Sequence, residues 1–243
     1  VVLLAALLAF NTWRQPSRQV AVPAVEPVAM DTAAVAARLA AAVRLRTVSV
    51  DGQPDQAAAE FLQLHDWLAA SYPAAHAAMR RETVGGYSLL FTWPGTDAGA
   101  APMMLMAHQD VVPVAPRTER DWQAEPFAGT VRDGFVWGRG AWDDKGNLVA
   151  MMEAVEALAR DGFRPRRTLY LAFGHDEETG GDRGAAQIAA LLKSRGVRLD
   201  FVIDEGVYGL YVCGSTAESF LLTEDERRAI AETVLAHAAG RVK

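Results

Sequence analysis

His108 and Asp110 in MLMAHQDVVPV, Asp143 and Asp144 in GRGAWDDKG, Glu177 and Glu178 in FGHDEETGG, and Asp204 in FVIDEG share one property. Each stands where an apolar run ends. An imidazole and a set of carboxylates are the nitrogen and oxygen donors from which hydrolytic zinc centres are built. Every member also has an ordinary reading. His108 and Asp110 are two apart and face the same way on an extended chain, so the carboxylate can orient the imidazole of a metal ligand. The same pair can simply hydrogen-bond at a strand end. Asp143 and Asp144 precede a helical pattern, which makes either one a candidate N-cap. A carboxylate there can instead bridge two ions about 3.5–4 Å apart. Gly138, Gly140 and Gly146 around the pair point to a backbone that turns tightly or approaches a neighbour closely. Glu177 and Glu178 lie between an apolar strand and Thr-Gly-Gly, so one can bind metal while the other serves as general base. Asp204 is a further candidate ligand, with Glu205 the alternative.

These groups meet only if the elements carrying them converge. YSLLFTW runs into the turn signal Pro94-Gly95, and PMMLMAH is the continuous apolar run of a strand covered on both faces. TVRDGFVWG predicts a hairpin closed at Asp133-Gly134. A helix from about Lys145 to Arg160, the strand TLYLAFG, a helix from about Gly184 to Arg195 and the strand DFVIDEG follow. This alternation predicts an α/β fold of three α/β/α layers with a mixed, mostly parallel sheet. Strand carboxyl ends in such a sheet open onto one crevice. Upstream, Asp31 is placed to cap an Ala-rich helix reaching about Val43. A second helix spans residues 55 to 71, with Phe61, Leu62, Leu64 and Trp67 on one face. Histidines 65, 76 and 237 fall in helices or at their ends without partner motifs and are read as structural or solvated. His175 is placed at most to support the cluster.

Composition bounds the rest. With 243 residues, 51% hydrophobic and 22% charged, the chain has room for one full domain and little more. A net charge of −6 with no basic run argues against a nucleic-acid partner. Cys213 is the only cysteine, which excludes an intrachain disulfide and a cysteine-ligated zinc. The opening VVLLAALLAF is shorter than the roughly 20 residues needed to span a bilayer. It fits the hydrophobic part of an export signal or the remnant of a membrane anchor, with a buried helix of the domain as the alternative. Either of the first two would make the protein exported (periplasmic or extracellular) or membrane-anchored. Pro16, Pro23 and Pro27 make residues 13–30 a linker. Thr223 and Glu226 in capping-box spacing predict a terminal helix from about Leu222 to Lys243.

MAHQDVVPV, FVWGRGAWDDKG, LAFGHDEETGG and DEG resemble, motif for motif and in order, the M20 metallopeptidases. That family holds carboxypeptidase S, glutamate carboxypeptidase, aminoacylase and succinyl-diaminopimelate desuccinylase. The similarity is strongest to the carboxypeptidase S and N-acyl-amino-acid hydrolase branch, and runs from about Ser17 to Gly206. The resemblance implies a zinc-exopeptidase-like domain and two zinc ions. His108 and Asp204 would hold one, Glu178 the other, and Asp143 would bridge them. Asp110 would orient His108, and Glu177 would be the base in hydrolysis of peptide or N-acyl-amino-acid amides. It also implies a cis peptide after the bridging aspartate, and a homodimer formed through an inserted lid domain. After Gly206 the sequence departs from the family pattern, and neither the lid nor the final histidine ligand is recognisable. The expected organisation is therefore a leader in 1–12, the linker, a partial zinc-peptidase catalytic domain in 31–206 and a divergent segment in 207–243. The contrasting expectation is a truncated, inactive relative acting at most as a metal- or peptide-binding module.

Overall fold

The computed structural model describes residues 2–14 and 29–204. The expected terminal helix, with Cys213, Glu205 and His237, lies outside the described residues, as does most of the Pro-rich linker. Helix α1 (Val2–Arg14) carries Leu3, Leu4, Leu7 and Leu8 as exposed side chains. Among the described residues no helix is long and apolar enough to cross a membrane.

From Ala29 the chain builds a layered α/β unit. The Asp31 carboxylate accepts the Ala34 N–H at 3.0 Å and starts α2 (Thr32–Arg44), supplying one of the donors a helix start leaves unpaired. Helix α3 (Ala58–Ser71) begins later than its periodicity predicted, because the segment before it closes as a turn, with the Ala58 N–H on the Asp55 carbonyl. Its buried stripe is Phe61, Leu64, His65 and Leu68, an i, i+3, i+4, i+7 set. Leu62 was expected on that face and is instead 53% exposed. Pro73 opens the short α4 (Pro73–Ala78), where its missing N–H costs nothing.

The strands are β1 (Arg80–Val84), β2 (Ser88–Trp93), β3 (Met103–His108), β4 (Thr130–Arg132) and β5 (Phe135–Trp137). Next come α5 (Lys145–Arg160), β6 (Leu169–Gly174), α6 (Ala185–Ser194) and β7 (Phe201–Asp204). The main sheet has the order β1-β2-β6-β3-β7. β3 pairs in parallel with β6 and β7, while β2 runs antiparallel to both its neighbours. All strands of this sheet except β2 therefore point the same way, and the mixed, mostly parallel sheet is as expected. β4 and β5 form the separate hairpin, turning through Asp133 (φ 55°) and Gly134 (φ 79°). Glycine takes the second of these left-handed positions without steric cost.

Alternation along the strands sorts the core into two layers. Leu89, Phe91, Leu171 and Phe173 pack on Leu64, Leu68, Leu148 and Met152 of α3 and α5. On the opposite face, Leu90, Met104 and Ala172 meet Ile188 and Leu192 of α6. Each such Leu or Phe, when fully buried, contributes about 1.5–3 kcal/mol. Between α2, α4 and α5 the buried carboxylate of Glu153 receives the Arg38 guanidinium, with the Tyr72 hydroxyl at 3.0 Å. This satisfies the charge where it is desolvated.

His65 is structural: its Nε2 lies 2.9 Å from both the Tyr87 carbonyl and Gln109 Oε1. Burial pushes His65 and His76 below the ordinary value of 6.5. The unfolded chain therefore binds protons there that the folded chain does not, so stability should fall as pH drops through about 6.5. His108 acts in the opposite sense: carried up to about 10, its stabilising contribution is complete below about 6.5 and is lost as pH rises from there towards 10. Urea unfolding over a pH series checks this, and His65→Gln should flatten the acid limb.

Candidate metal centre

Three parallel strands end on one edge of the sheet. His108 closes β3 in register with Gly174 of β6, and Asp204 closes β7 opposite Met106. Just beyond β6 the chain turns through Glu177–Thr179, and the loop before α5 brings Asp143 and Asp144 to the same edge.

Extended backbone at the end of β3 aims alternate side chains apart. Gln109 points inward and donates to the Tyr87 and Phe173 carbonyls. His108 and Asp110 point together to the other side. His108 Nδ1 donates to the Asp110 carbonyl oxygen at 3.0 Å and lies 3.3 Å from Asp110 Oδ1. With Nδ1 so engaged, Nε2 is the nitrogen turned to the cluster, 2.9 Å from Asp143 Oδ1 and 3.9 Å from Glu177 Oε2. The Asp110 carboxylate, 0% exposed, also accepts the backbone N–H groups of Glu177 (3.2 Å) and Glu178 (3.1 Å). One carboxylate thus ties the end of β3 to the glutamate turn.

The adjacent aspartates divide sharply. Asp144 is buried at the N-cap position of α5, where it accepts the His108 backbone N–H at 3.0 Å and the Asn147 amide. Asp143 faces the cluster, and the peptide between the two is cis. The surrounding glycines leave no room for a side chain. At Gly140 (φ +82°) a Cβ would lie 2.7 Å from Val111 Cγ1, and at Gly138 2.5 Å from Val43 Cγ1. Lys145, which the motif reading passed over, is 0% exposed and donates from Nζ to the Ala42 and Leu45 carbonyls, stitching the end of α2 to this loop. Burial pulls it down to about 7 against the pull of Glu60 and Asp110. Its only sequence signal was a lysine opening a helix that carries no further charge before Glu153.

His108, Asp143 and Glu178 each offer a ligand atom, all within 4.8 Å of one another. Asp204 stands outside this trio at the end of β7, though its charge reaches Glu177. His175 does not join: its Nδ1 lies 2.7 Å from Ser88 Oγ. The electrostatics are those of crowded anions. Burial pushes Glu178 up to about 7, with Asp143, Asp110 and Glu177 adding to the rise and His108 opposing it. Burial also raises Glu177. For His108 burial acts downward, but the hydrogen bond and charge of Asp110, with Asp144 and Glu177, outweigh it and carry the imidazole to about 10. A site that holds protons this firmly on both carboxylate and imidazole attracts positive charge. Its nitrogen and oxygen donors are of the kind zinc takes, so the residues present fit the metal.

Residues 104–218, which span every member of this cluster, match the family described as peptidase family M20/M25/M40. The chain belongs to that family. Among its M20 relatives, it is 37% identical over 210 residues to probable carboxypeptidase S-like 2 of Dictyostelium discoideum, covering 83% of this chain and 40% of that protein. It is 40% identical over 177 residues to the N-fatty-acyl-amino acid synthase/hydrolase PM20D1 of Mus musculus, covering 72% of this chain and 34% of the relative. The solved structure of the di-peptidase Dug1p from Saccharomyces cerevisiae superposes with a TM-score of 0.57 at 20% identity, over 74% of this chain and 39% of that one. That likeness establishes the fold as that of an M20 catalytic domain. The chain spans 40% or less of the length of these relatives.

Proposed function

We propose that this M20 chain supplies the catalytic portion of a zinc-dependent, carboxypeptidase-like hydrolase acting on amide bonds in peptides or N-acyl-amino acids. The observation that carries the proposal is the convergence of His108, Asp143 and Glu178 within 4.8 Å at the carboxyl edge of parallel strands. The names of the relatives support the substrate class. In this reading His108, Asp143, Glu178 and Asp204 are the residues that would hold zinc. Bound zinc would polarise the amide carbonyl and make the attacking water acidic.

The chain's own residues do the rest. Asp110 holds His108 by Nδ1, so that Nε2 faces the cluster, and it positions the turn bearing both glutamates. Glu177, raised by burial and by neighbouring carboxylates, accepts a proton from the attacking water and passes it to the nitrogen of the departing amine. Asp144 and Lys145 hold the loop that presents Asp143.

The same proposal takes residues 1–12 as part of an export signal or membrane anchor, residues 13–30 as a linker and 31–206 as the catalytic portion. It assigns homodimerisation to a lid domain of the family. Elemental analysis of protein purified without chelator tests the metal assignment directly. His108→Ala should lower zinc per chain and abolish hydrolysis of N-acyl-amino acids; unchanged zinc content would remove His108 from the ligand set.

A further inference from the structure

We infer that Gln109, the buried residue between His108 and Asp110, is a positioning residue of the metal centre. Its side-chain amide clamps the end of β3 to the end of β6 and so sets the spacing between the histidine and the glutamate turn. The inference rests on the zinc reading above and deepens it.

A clamp is needed because the sheet stops short of the site. The ladder between β3 and β6 closes at His108 and Gly174, and Asp110, Glu177 and Glu178 all lie beyond it. Asp110 must nevertheless meet the Glu177 and Glu178 N–H groups at 3.2 and 3.1 Å. The two chains therefore have to stay in register past their last strand pair.

Gln109 supplies that register. Its backbone N–H donates to the Gly174 carbonyl at 2.7 Å, and its side-chain Nε2 donates to the Phe173 carbonyl at 2.8 Å. The carbonyls of the last two residues of β6 are thus both held by one residue of the other chain. The second amide proton goes to the Tyr87 carbonyl at 2.9 Å, in the turn between β1 and β2. The Gln109 carbonyl in turn accepts the Thr47 hydroxyl at 2.6 Å. Because the amide nitrogen is the atom set against two carbonyls, the oxygen is the atom turned to His65, 2.9 Å away. His65 Nε2, with oxygens for both neighbours, carries the proton and donates. An amide engaged at both N–H groups and at its oxygen is held in one orientation. With Gln109 fixed inward, alternation along the extended chain turns His108 and Asp110 together towards the cluster.

The test is the zinc affinity of Gln109→Met, which keeps the length of the side chain and removes both N–H donors. Affinity is read by competition with a chromophoric chelator, under conditions where circular dichroism shows the variant folded. It should fall about 10–100-fold. The visible spectrum of the cobalt-loaded chain should change with it, because the donors themselves have moved. Leu192→Ala, in the opposite core layer, controls for lost stability and should keep wild-type zinc affinity. Gln109→Glu supplies partial rescue. Its buried carboxyl, neutral at about pH 6, donates one hydrogen bond, whereas the carboxylate formed by about pH 9 repels the Phe173 and Tyr87 carbonyls. Its zinc affinity relative to wild type at the same pH should therefore fall as pH rises. Unchanged affinity in Gln109→Met, or an equal loss in Leu192→Ala, overturns the assignment. Should Gln109→Met not fold, a pH-independent ratio for Gln109→Glu overturns it instead. Failure of the zinc reading shows separately, as zinc binding by the wild-type chain that is insensitive to His108→Ala.

Discussion

Glu177→Gln is expected to lower amide hydrolysis by a factor of about 10²–10⁴ while leaving zinc content unchanged. The substitution keeps the size of the side chain and the backbone N–H that donates to Asp110 Oδ1. What it removes is the ability to accept a proton. Glu177 is suited to that task because burial raises it, the charges of Asp110, Asp143 and Asp204 add to the rise, and only His108 opposes them. Its Oε2 lies 3.9 Å from His108 Nε2, beside the trio of donor atoms but outside it. Rate and zinc per chain, measured on the same preparation, separate the roles. A parallel loss of zinc would make Glu177 a ligand, and an unchanged rate would exclude it as the base.

Asp110→Ala should weaken zinc binding about 10–100-fold and cost about 3–5 kcal/mol of stability, as expected when a buried charge loses its partner. The structure places two tasks on this carboxylate. It accepts both backbone N–H groups of the glutamate turn, and it stands 3.3 Å from His108 Nδ1. Removing it leaves two donors without their acceptor and takes the charge from beside His108, whose Nδ1 then keeps only the Asp110 backbone carbonyl. Asp110→Asn keeps one acceptor oxygen and should fall between wild type and Asp110→Ala. Zinc competition against a chromophoric chelator, paired with urea unfolding, reads the two effects independently. Lost stability with unchanged zinc affinity would reduce Asp110 to a structural residue.

Much of the fold was legible because its periods are strong. Alternation in SLLFTW puts Leu89 and Phe91 on one face and Leu90 on the other, and the two core layers follow that division. The carboxylate and histidine motifs stood out because polar donors seldom end an apolar run without a reason. Helix faces were less secure. Leu62 matches the general hydrophobicity of α3 but lies off its 61-64-65-68 stripe, and only packing shows where that stripe points. Lys145 could not be read from local pattern, since its partners are carbonyls about a hundred residues earlier in the chain.

By itself, the sequence determined the chemical inventory and the alternating α/β architecture, because donor types and hydrophobic periods are local properties. Tertiary structure decided which member of each adjacent pair does what. Neighbouring residues point in different directions, and the direction is set by contacts made far away in the chain. Asp144 turns inward to the His108 backbone while Asp143 turns out to its imidazole. Asp110 reaches across to the glutamate turn and places Glu178 among the candidate ligands. Those contacts arise only once β3, β6 and the loop before α5 share one edge of the sheet, a non-local arrangement that no local pattern encodes.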